Sequence, residues 1–197
     1  MRRFVVLGHE APTTAEFSLE DLPGAGRLDA LCRCVTSAFC LSHAIRENVR
    51  VELVLADSYT VRFEGSELRR LNPDERSTAA LVRNALENRE GAIGAMEANP
   101  SPGVYISRRD GETTIREAAD RGTVLTLHED GDPAIDVDPP NDPVFVLSDH
   151  REFTDAETEL LGAVSDRRLS VGPEVLHADH AIVVAHNWLD TAGFSRY

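Results

Sequence analysis

Residues 144–149, VFVLSD, form a nearly continuous apolar run, and this run constrains the fold more than any other stretch. A half-exposed strand alternates apolar and polar residues. A strand that is apolar throughout is buried on both faces, as in a parallel sheet covered by helices. We therefore predict that residues 144–149 form a central strand of such a sheet.

Helical and strand patterns alternate along the rest of the chain. Apolar residues recur at helical spacing in some segments, and other segments carry short runs rich in β-branched residues. This alternation predicts an α/β fold with a mostly parallel sheet, and one domain over residues 1–197. Strands are predicted at 2–8, 50–57, 60–65 (antiparallel to the strand before it), 103–108, 123–129 and 167–171, and helices at 27–48, 72–90, 113–122, 154–164 and 174–190.

Local signals set some of the boundaries. NPDE at 72–75 predicts a helix start with Asn72 as the N-cap and Pro73 in the first position. Thr154 and Glu157 are spaced as a capping box for the helix predicted at 154–164. The segment 130–143 is rich in Pro and Asp, so we predict a solvated loop without a helix or a strand.

The charge of the chain indicates its environment. The 197 residues carry a net charge of −14, and every one of the 20 basic residues is Arg. Guanidinium is weakly hydrated, and at about 1 M salt the Debye length is roughly 3 Å, so self-repulsion is largely screened. We infer a halophilic source. The acidic balance does not exclude a nucleic-acid partner, because other proteins of such a cell would be acidic too.

No window approaches the roughly 18 consecutive apolar residues of a membrane-spanning helix. MRRFVVLGHE is interpreted as a first strand, not a signal peptide, and we expect a cytoplasmic protein without a membrane partner. Cys32, Cys34 and Cys40 fall within one predicted helix, on which Cys32 and Cys34 point to different faces. They are expected to be reduced, buried thiols and not metal ligands.

Three strands in the C-terminal third end in polar or turn residues: TVLTL before HEDG, VFVL before SDH, and RRLSV before GP. Ligands of open α/β sheets bind beyond the carboxyl ends of strands, so we predict a pocket lined by Leu127, Ser148, Asp149 and the backbone of 171–176. No dinucleotide fingerprint and no P-loop is present. Backbone donors between apolar walls suit an adenine and a thioether better than a phosphate.

The residue types of this region suggest two other chemistries. His177 and His180 are spaced to share a helix face, but zinc would need a third ligand from Asp149, His150 or His186, and no HExxH motif is present. We expect no metal. Ser170 lacks the G-x-S-x-G elbow of a hydrolase, so a Ser-based triad is not favoured.

The strings VFVLSDHREFT (144–154) and LSVGPEVLHADHAIVVAHNWLD (169–190) resemble the SPOUT class of S-adenosylmethionine-dependent RNA methyltransferases, and more narrowly the archaeal TrmY family. The opening 4–46 is similar to that family's first strand and helix, so the resemblance covers nearly the whole chain. It implies methylation of N1 of pseudouridine-54 in the T loop of tRNA, with S-adenosyl-L-methionine as cofactor. It also implies a homodimer and a deep C-terminal trefoil knot, with the knot and cofactor site at about 123–190.

The resemblance also implies which residues bind the cofactor. A Gly stands at the position of Ser148 in some relatives, so backbone contact is the expectation there. A Cys found near the end of some relatives has no counterpart in TAGFSRY, and no cofactor contact is transferred to that segment. The cofactor-binding residues implied are Leu127, Ser148, Val171, Gly172, Pro173, Glu174, Val175 and Leu176.

The roles of the remaining residues stay open at this point. Asp149 is the candidate to accept the N1 proton of pseudouridine or to orient the base, although water could take the proton instead. The pairs at 69–70, 108–109 and 167–168 are arginines that could bind RNA, or could be ordinary surface. Alternative functions are a methyltransferase for a ribosomal RNA pseudouridine, an RNA-binding module that retains the cofactor pocket without catalysis, and a zinc hydrolase.

Overall fold

A computed structural model of the protein describes residues 1–69, 71–94 and 96–197. Eight strands form one sheet in the order β4-β5-β3-β2-β1-β7-β6-β8. Five α-helices of the described residues flank it, so the predicted α/β fold with a mostly parallel sheet is confirmed. The strands are β1 (Arg2–Gly8), β2 (Val49–Leu55), β3 (Tyr59–Glu64), β4 (Ala98–Ser101), β5 (Val104–Ser107), β6 (Thr123–Pro133), β7 (Pro143–Ser148) and β8 (Arg167–Ser170); the helices are α1 (Leu28–Phe39), α2 (Glu75–Glu87), α3 (Gly111–Ala119), α4 (Asp155–Val164) and α5 (Ala178–Asp190).

The parallel part of the sheet contains β2, β1, β7, β6 and β8. The apolar run that predicted a central strand forms β7, and Val144, Phe145 and Val146 in it are fully buried. β3, β5 and β4 extend the sheet with antiparallel pairs. The predicted antiparallel turn from β2 into β3 is thereby confirmed.

Side chains alternate between the two faces of each strand, and each face packs against different helices. Phe4 and Val6 point to the core shared with α1, α2 and α5, whereas Val5 and Leu7 point to a smaller core beneath α3 and α4. In the larger core Phe4 stacks on Phe145, with ring centroids 5.1 Å apart. None of the helices in the described part of the chain is long and apolar enough to cross a membrane.

Helix α1 is shorter than predicted. It ends at Phe39, and Cys40 is its C-cap in extended conformation, paired through a β-bridge with Ile45. The prediction that all three cysteines lie within one helix was therefore wrong for Cys40, since the extended backbone there replaces the next helical turn. Cys32 and Cys34 are buried, and burial raises the pKa of both thiols, so they are unreactive core residues.

Helix α2 begins two residues later than predicted. Asp74, not Asn72, is the N-cap, and its side chain accepts a hydrogen bond from the Ser77 N–H at 2.7 Å. A carboxylate caps more strongly than an amide when it faces the positive end of the helix dipole. The helix ends at Glu87, before the predicted end. The capping box of α4, formed by Thr154 and Glu157, is confirmed.

The Pro- and Asp-rich segment after residue 129 is more ordered than predicted. β6 continues to Pro133, a 3₁₀ turn follows at Ala134–Asp136, and only the remainder is irregular. Leu169 of β8 pairs with Leu127 and again with Asp132, so β6 bends and contacts the same β8 residue twice. A Cβ on Gly131 would lie 2.5 Å from backbone atoms of Leu169, and only glycine allows this approach.

Helix α5 begins at Ala178, four residues after its predicted start. His177 occupies the N-cap position and His180 lies in the first turn. His186 lies in the core, T-shaped against Phe4. Its Nε2 is 3.0 Å from the Ala38 carbonyl, which can only accept, so Nε2 carries the hydrogen. Nδ1 then accepts from the Arg2 guanidinium at 3.0 Å.

Because His186 is buried and neutral, acid should destabilise the fold. Burial, with Arg46 and Arg2 nearby, lowers the pKa of His186 from 6.5 to about 3. The unfolded chain therefore takes up this proton before the folded chain does. His186 contributes on the order of 4 kcal/mol to the free energy of unfolding. This contribution is complete above about pH 6.5 and is lost as the pH falls towards 3.

This pH dependence is measured by urea unfolding of the wild type and of His186→Gln from pH 7 to pH 4. The difference between the two should shrink as the pH falls. His180→Gln, which changes an exposed ring, should follow the wild-type profile. A constant difference between wild type and His186→Gln at all pH values would contradict the assignment.

Candidate functional site

A cavity of about 240 Å³ opens where β6 bends, at residues 127–129, and at the carboxyl ends of β7 and β8. These three strands are adjacent and parallel, so the bend and the two strand ends meet at one edge of the sheet. The bend of β6 and the turns after β7 and β8 form its rim, and leucines from the strands form its floor. The apolar lining residues are Leu127, Leu147, Phe153, Leu169, Val171, Val175, Leu176, Ala178 and Ala181.

The structure brings seven of the eight predicted cofactor-binding residues to this cavity. Leu127, Ser148 and the segment 171–176 line it, with the exception of Pro173. Pro173 lies on the other side of its own turn, against a second cavity of about 500 Å³ that Ile135 and Phe194 also line. The turn after β8 thus separates two cavities, and Gly172 borders both of them.

Gly172 has room for a side chain within the protein itself. A Cβ built there would lie 3.6 Å from Leu176 Cδ1 and 3.8 Å from the Glu174 carbonyl oxygen, which are ordinary contacts. Neither strain nor crowding therefore requires glycine at this position. The missing side chain instead leaves a smooth stretch of backbone on the cavity wall, where a flat ligand such as an adenine could lie.

The Ser148 hydroxyl is engaged within the protein, and contact of the cofactor with the Ser148 backbone stays a prediction. This hydroxyl donates to the Arg151 carbonyl and closes the turn after β7. Ser170 behaves similarly, because its hydroxyl donates to the Gly172 carbonyl at 2.9 Å. Neither hydroxyl is placed as a nucleophile beside a base.

The Asp149 carboxylate is directed into the protein. Its side chain is only 1% exposed. Oδ2 accepts from the His9 backbone N–H at 2.9 Å, and Oδ1 accepts from the Arg151 N–H at 2.9 Å and faces His9 Nδ1 at 3.0 Å. Asp149 borders the cavity, but its oxygens hold β1 to the turn after β7. Its role in proton transfer stays a prediction.

His9 is the residue of this region that the sequence motifs did not indicate. Its Nδ1 faces Asp149 and its Nε2 faces Glu157 Oε2, each at 3.0 Å. Carboxylates only accept, so both ring nitrogens carry hydrogens and the ring is an imidazolium. Burial acts to lower the pKa of His9, but the hydrogen bonds to Glu157 and Asp149 outweigh it, so the pKa is raised above 6.5. The only sequence signal is its position directly after β1.

His9 should stabilise the fold most at neutral to mildly acidic pH. Because its pKa is raised in the folded state, its contribution is complete below about pH 6.5 and is lost as the pH rises through the folded-state pKa. His9→Gln leaves two carboxylates with a weaker, neutral partner and should cost about 2 kcal/mol near pH 6. Urea unfolding should show this cost diminishing at alkaline pH.

The control for this experiment is His43→Gln, because the His43 side chain is exposed. It should leave the free energy of unfolding unchanged across the range. If the cost of His9→Gln were the same at pH 6 and pH 9, His9 would not be charged in the folded protein.

The histidines considered as metal ligands do not form a site. His177 and His180 have ring centroids 6.0 Å apart. His186, one of three side chains considered as a third ligand beside Asp149 and His150, is hydrogen-bonded in the core to Ala38 and Arg2. Across residues 1–69, 71–94 and 96–197, no group of three His, Cys, Asp or Glu side chains is arranged to hold a metal ion.

The arginine pairs have different environments. Arg109 binds Glu97 and Glu117, and Arg108 lies over the Tyr59 ring, 5.9 Å from its centroid. Arg167 pairs with Asp132 at 2.6 Å. Arg168 is exposed. In the pair at 69–70, Arg69 donates to the Leu68 carbonyl, and its neighbour lies outside the described residues.

The cavity of about 240 Å³, here called the strand-end cavity, and the sheet around it are together characteristic of one class of protein. Residues 1–194 match the family described as "Putative SAM-dependent RNA methyltransferase", and the chain belongs to this family. The family expected from residues 144–154 and 169–190 is thereby confirmed.

Two relatives are similar over all or nearly all of their length. The chain is 69% identical to the tRNA (pseudouridine(54)-N(1))-methyltransferase of Haloferax volcanii, with 100% of both chains covered. It is 41% identical to the protein of the same name from Methanococcoides burtonii, with 96% of both covered. The crystal structure of Archaeoglobus fulgidus Nep1 bound to S-adenosylhomocysteine superposes with a TM-score of 0.62 over 95% of both chains, at 14% identity, a likeness of fold alone.

Proposed function

We propose that the chain methylates N1 of pseudouridine-54 in the T loop of tRNA, with S-adenosyl-L-methionine as the methyl donor. This proposal rests on the 69% sequence identity, over the full length of both chains, to a relative that is named for this activity. A cytoplasmic location follows from such a substrate. The alternatives, a ribosomal RNA target or a module that binds RNA without catalysis, are decided by the assay below.

The strand-end cavity, at the bend of β6 and the ends of β7 and β8, fits the cofactor. Leu127 and Leu176 would hold the flat adenine between apolar walls, and the Gly172 backbone would allow its close approach. Ser148 would present backbone, because its hydroxyl is engaged with Arg151. When bound, the cofactor supplies a methyl group already activated by its sulfonium. The residues of the cavity therefore contribute mainly alignment of the methyl carbon with N1 of the base.

The N1 proton of pseudouridine must leave as the N–C bond forms, and the neutral sulfide leaves with the S–C electron pair. We keep Asp149 as the candidate that orients the base or accepts this proton. Its contacts with His9 and Arg151 support the orienting role more directly than the accepting one. Asp149→Asn with full turnover would exclude proton acceptance, and water would then take the proton.

The trefoil knot and the homodimer are part of this proposal. The double contact of Leu169 with Leu127 and Asp132 supports a bent β6 around which the last strand passes. The exposed apolar side chains Ile135, Val175 and Val183, of which Val175 is 72% exposed, support a face covered by a second copy. Sedimentation in concentrated salt tests the dimer. RNA contacts are proposed for Arg108 and Arg168.

The deciding assay incubates the protein and labelled cofactor in high salt with tRNA that carries or lacks pseudouridine at position 54. Label should enter only the pseudouridylated tRNA, and nucleoside mass mapping should locate one methyl group on N1 of that residue. Transfer to ribosomal RNA alone would favour the first alternative. Cofactor binding without transfer to any RNA would favour the second, and the absence of cofactor binding would contradict both.

A further inference from the structure

A second cluster of charged groups lies on the sheet and shares no residue with the lining of the cofactor cavity. Glu52, Arg62 and Tyr105 stand directly opposite one another on β2, β3 and β5, so their side chains share one face of the sheet. This is the face that α3 and α4 cover elsewhere, where Val54 contacts α3 residues in the smaller core. Over these three strands the face carries charges in place of an apolar core.

The end of α3 and the segments around β5 enclose this face into a cavity of about 550 Å³. Arg109 enters from the segment after β5, and Arg121 follows the end of α3. Arg62 and Arg109 both bind Glu97. We call this space the arginine cavity; its lining includes four arginines, Tyr105 and three carboxylates: Arg50, Arg62, Arg109, Arg121, Tyr105, Glu52, Glu97 and Glu117.

The structure leaves polar groups of this cluster without partners. Glu52 is 5% exposed and lines the cavity, yet within the described residues its carboxylate makes no hydrogen bond and no ion pair. Arg3 Nε and Glu64 Oε1, in the adjacent row of the same face, are buried without a partner, but neither residue lines the cavity. The Glu52 carboxylate does line it, and because a buried polar group normally has a partner, we expect Glu52 to accept hydrogen bonds from a ligand in the cavity.

The chemistry of the cavity selects the ligand. An ionised carboxylate accepts two parallel N–H bonds, and arginines beside it donate to a carbonyl oxygen. The Arg62 guanidinium is held against the Tyr105 ring, 3.9 Å from its centroid, as a planar cation on which a base can stack. Arg121 is exposed, and within the described residues its guanidinium pairs with no carboxylate, so it can bind a phosphate.

We propose that the arginine cavity binds a guanine nucleotide. Guanine presents N1–H and N2–H side by side for Glu52, and O6 next to them for an arginine. Adenine, uracil and cytosine lack this pair of adjacent donors. The phosphate would lie at Arg121. The nucleotide can be part of an RNA chain or free in solution, and this chemistry is common to both sources.

This site is independent of the cofactor cavity. Glu52 pairs in register with Val5 in the middle of β1, whereas Ser148 pairs with Leu7 near the carboxyl end of β1. Burial raises the pKa of Glu52, against the effect of Arg50, Arg109 and Arg62. Donors from a bound base would stabilise its ionised form, so binding should release protons near the folded-state pKa.

The test is calorimetric titration of the full chain in high salt with GMP, AMP and UMP, and then with the single-stranded trinucleotides UGU and UAU. GMP should bind at least about tenfold more tightly than AMP or UMP. Glu52→Gln keeps the size of the side chain but replaces one acceptor by a donor, and should weaken GMP about tenfold or more. Glu159→Gln, on the exposed face of α4, is the matched control and should bind as the wild type does.

Arg121→Gln is the second variant, because it alters an exposed side chain and leaves the cluster intact. It should weaken GMP but not guanosine. Tighter binding of UGU than of GMP would identify RNA as the source, and the reverse would identify a free nucleotide. Equal affinity of the wild type for GMP and AMP would overturn the proposal. So would a GMP affinity that is unchanged in both Glu52→Gln and Arg121→Gln. Either result would leave a purely structural ion cluster.

The outcome is separable from that of the methyltransferase proposal. S-adenosylmethionine titrated into the same preparations should bind wild type, Glu52→Gln and Arg121→Gln with equal affinity, since neither residue lines the cofactor cavity. GMP binding without cofactor binding would sink the proposed function and leave the guanine site standing.

Discussion

Gly172→Val is expected to reduce the affinity for S-adenosylmethionine by about 100-fold or more while leaving the free energy of unfolding nearly unchanged. The protein has room for a Cβ at this position, since the nearest atoms lie 3.6 and 3.8 Å away. The added side chain would project from the turn after β8, between the two cavities that Gly172 borders, and would occupy the path of the ligand. Calorimetric titration and urea unfolding of the same preparation measure the two quantities.

Gly162→Val is the matched control. Gly162 is exposed on α4 and a Cβ there meets nothing within 4 Å, so the same substitution should change neither cofactor affinity nor stability by much. A Gly172→Val protein that binds the cofactor as the wild type does would remove the turn after β8 from the binding site. Lost stability in Gly172→Val would show that the glycine serves the fold instead.

Gly131→Ala is expected to lower the free energy of unfolding by about 3 kcal/mol or more, or to prevent folding. The added Cβ would lie 2.5 Å from both the backbone N and C of Leu169, and this backbone pairs with β6 on both sides of the bend, so it cannot move aside without breaking pairs. The conflict lies where β6 contacts β8 for the second time. Urea unfolding at high salt measures the change.

Gly162→Ala separates this effect from the general effect of replacing a glycine. It places the same methyl group on an exposed helix, where it should be neutral or slightly stabilising. If Gly131→Ala were as stable as the wild type, the bend of β6 would not press against β8 as the structure shows. The proposed threading of the last strand past β6 would then lose its support.

Local patterns predicted much of the fold. The apolar run of β7 and the capping box of Thr154 and Glu157 depend on residues a few positions apart, and both are confirmed. The extension of β6 to Pro133 was missed, because its pairing partner Leu169 is distant in sequence and overrides the preference of Asp and Pro for loops. The Asp74 cap was missed because two neighbouring residues can both cap a helix, and the geometry of the chain decides between them.

The residues of the cofactor cavity were predicted from sequence motifs, but the charged residues around it and elsewhere on the sheet were not. The turns after β7 and β8 follow from the strand ends, and the structure brings them to one cavity with Leu127 at the bend of β6, where the sequence predicted a strand end. His9 and Asp149 are 140 positions apart, and no pattern in either segment links them. The arginine cavity depends on the register of β2, β3 and β5, which the sequence does not specify.

The position of the strand-end cavity in the chain also has a consequence for synthesis. Its lining runs from Leu127 to Ala181, so the wall supplied by the turn after β8 is made after β1 to β7. A nascent chain on the ribosome can complete β1 to β5 but has no complete place for the cofactor until residue 181 has left the exit tunnel. The methyl donor can therefore stabilise the finished protein but cannot assist its early folding, and a chain stopped before β8 should have no affinity for it.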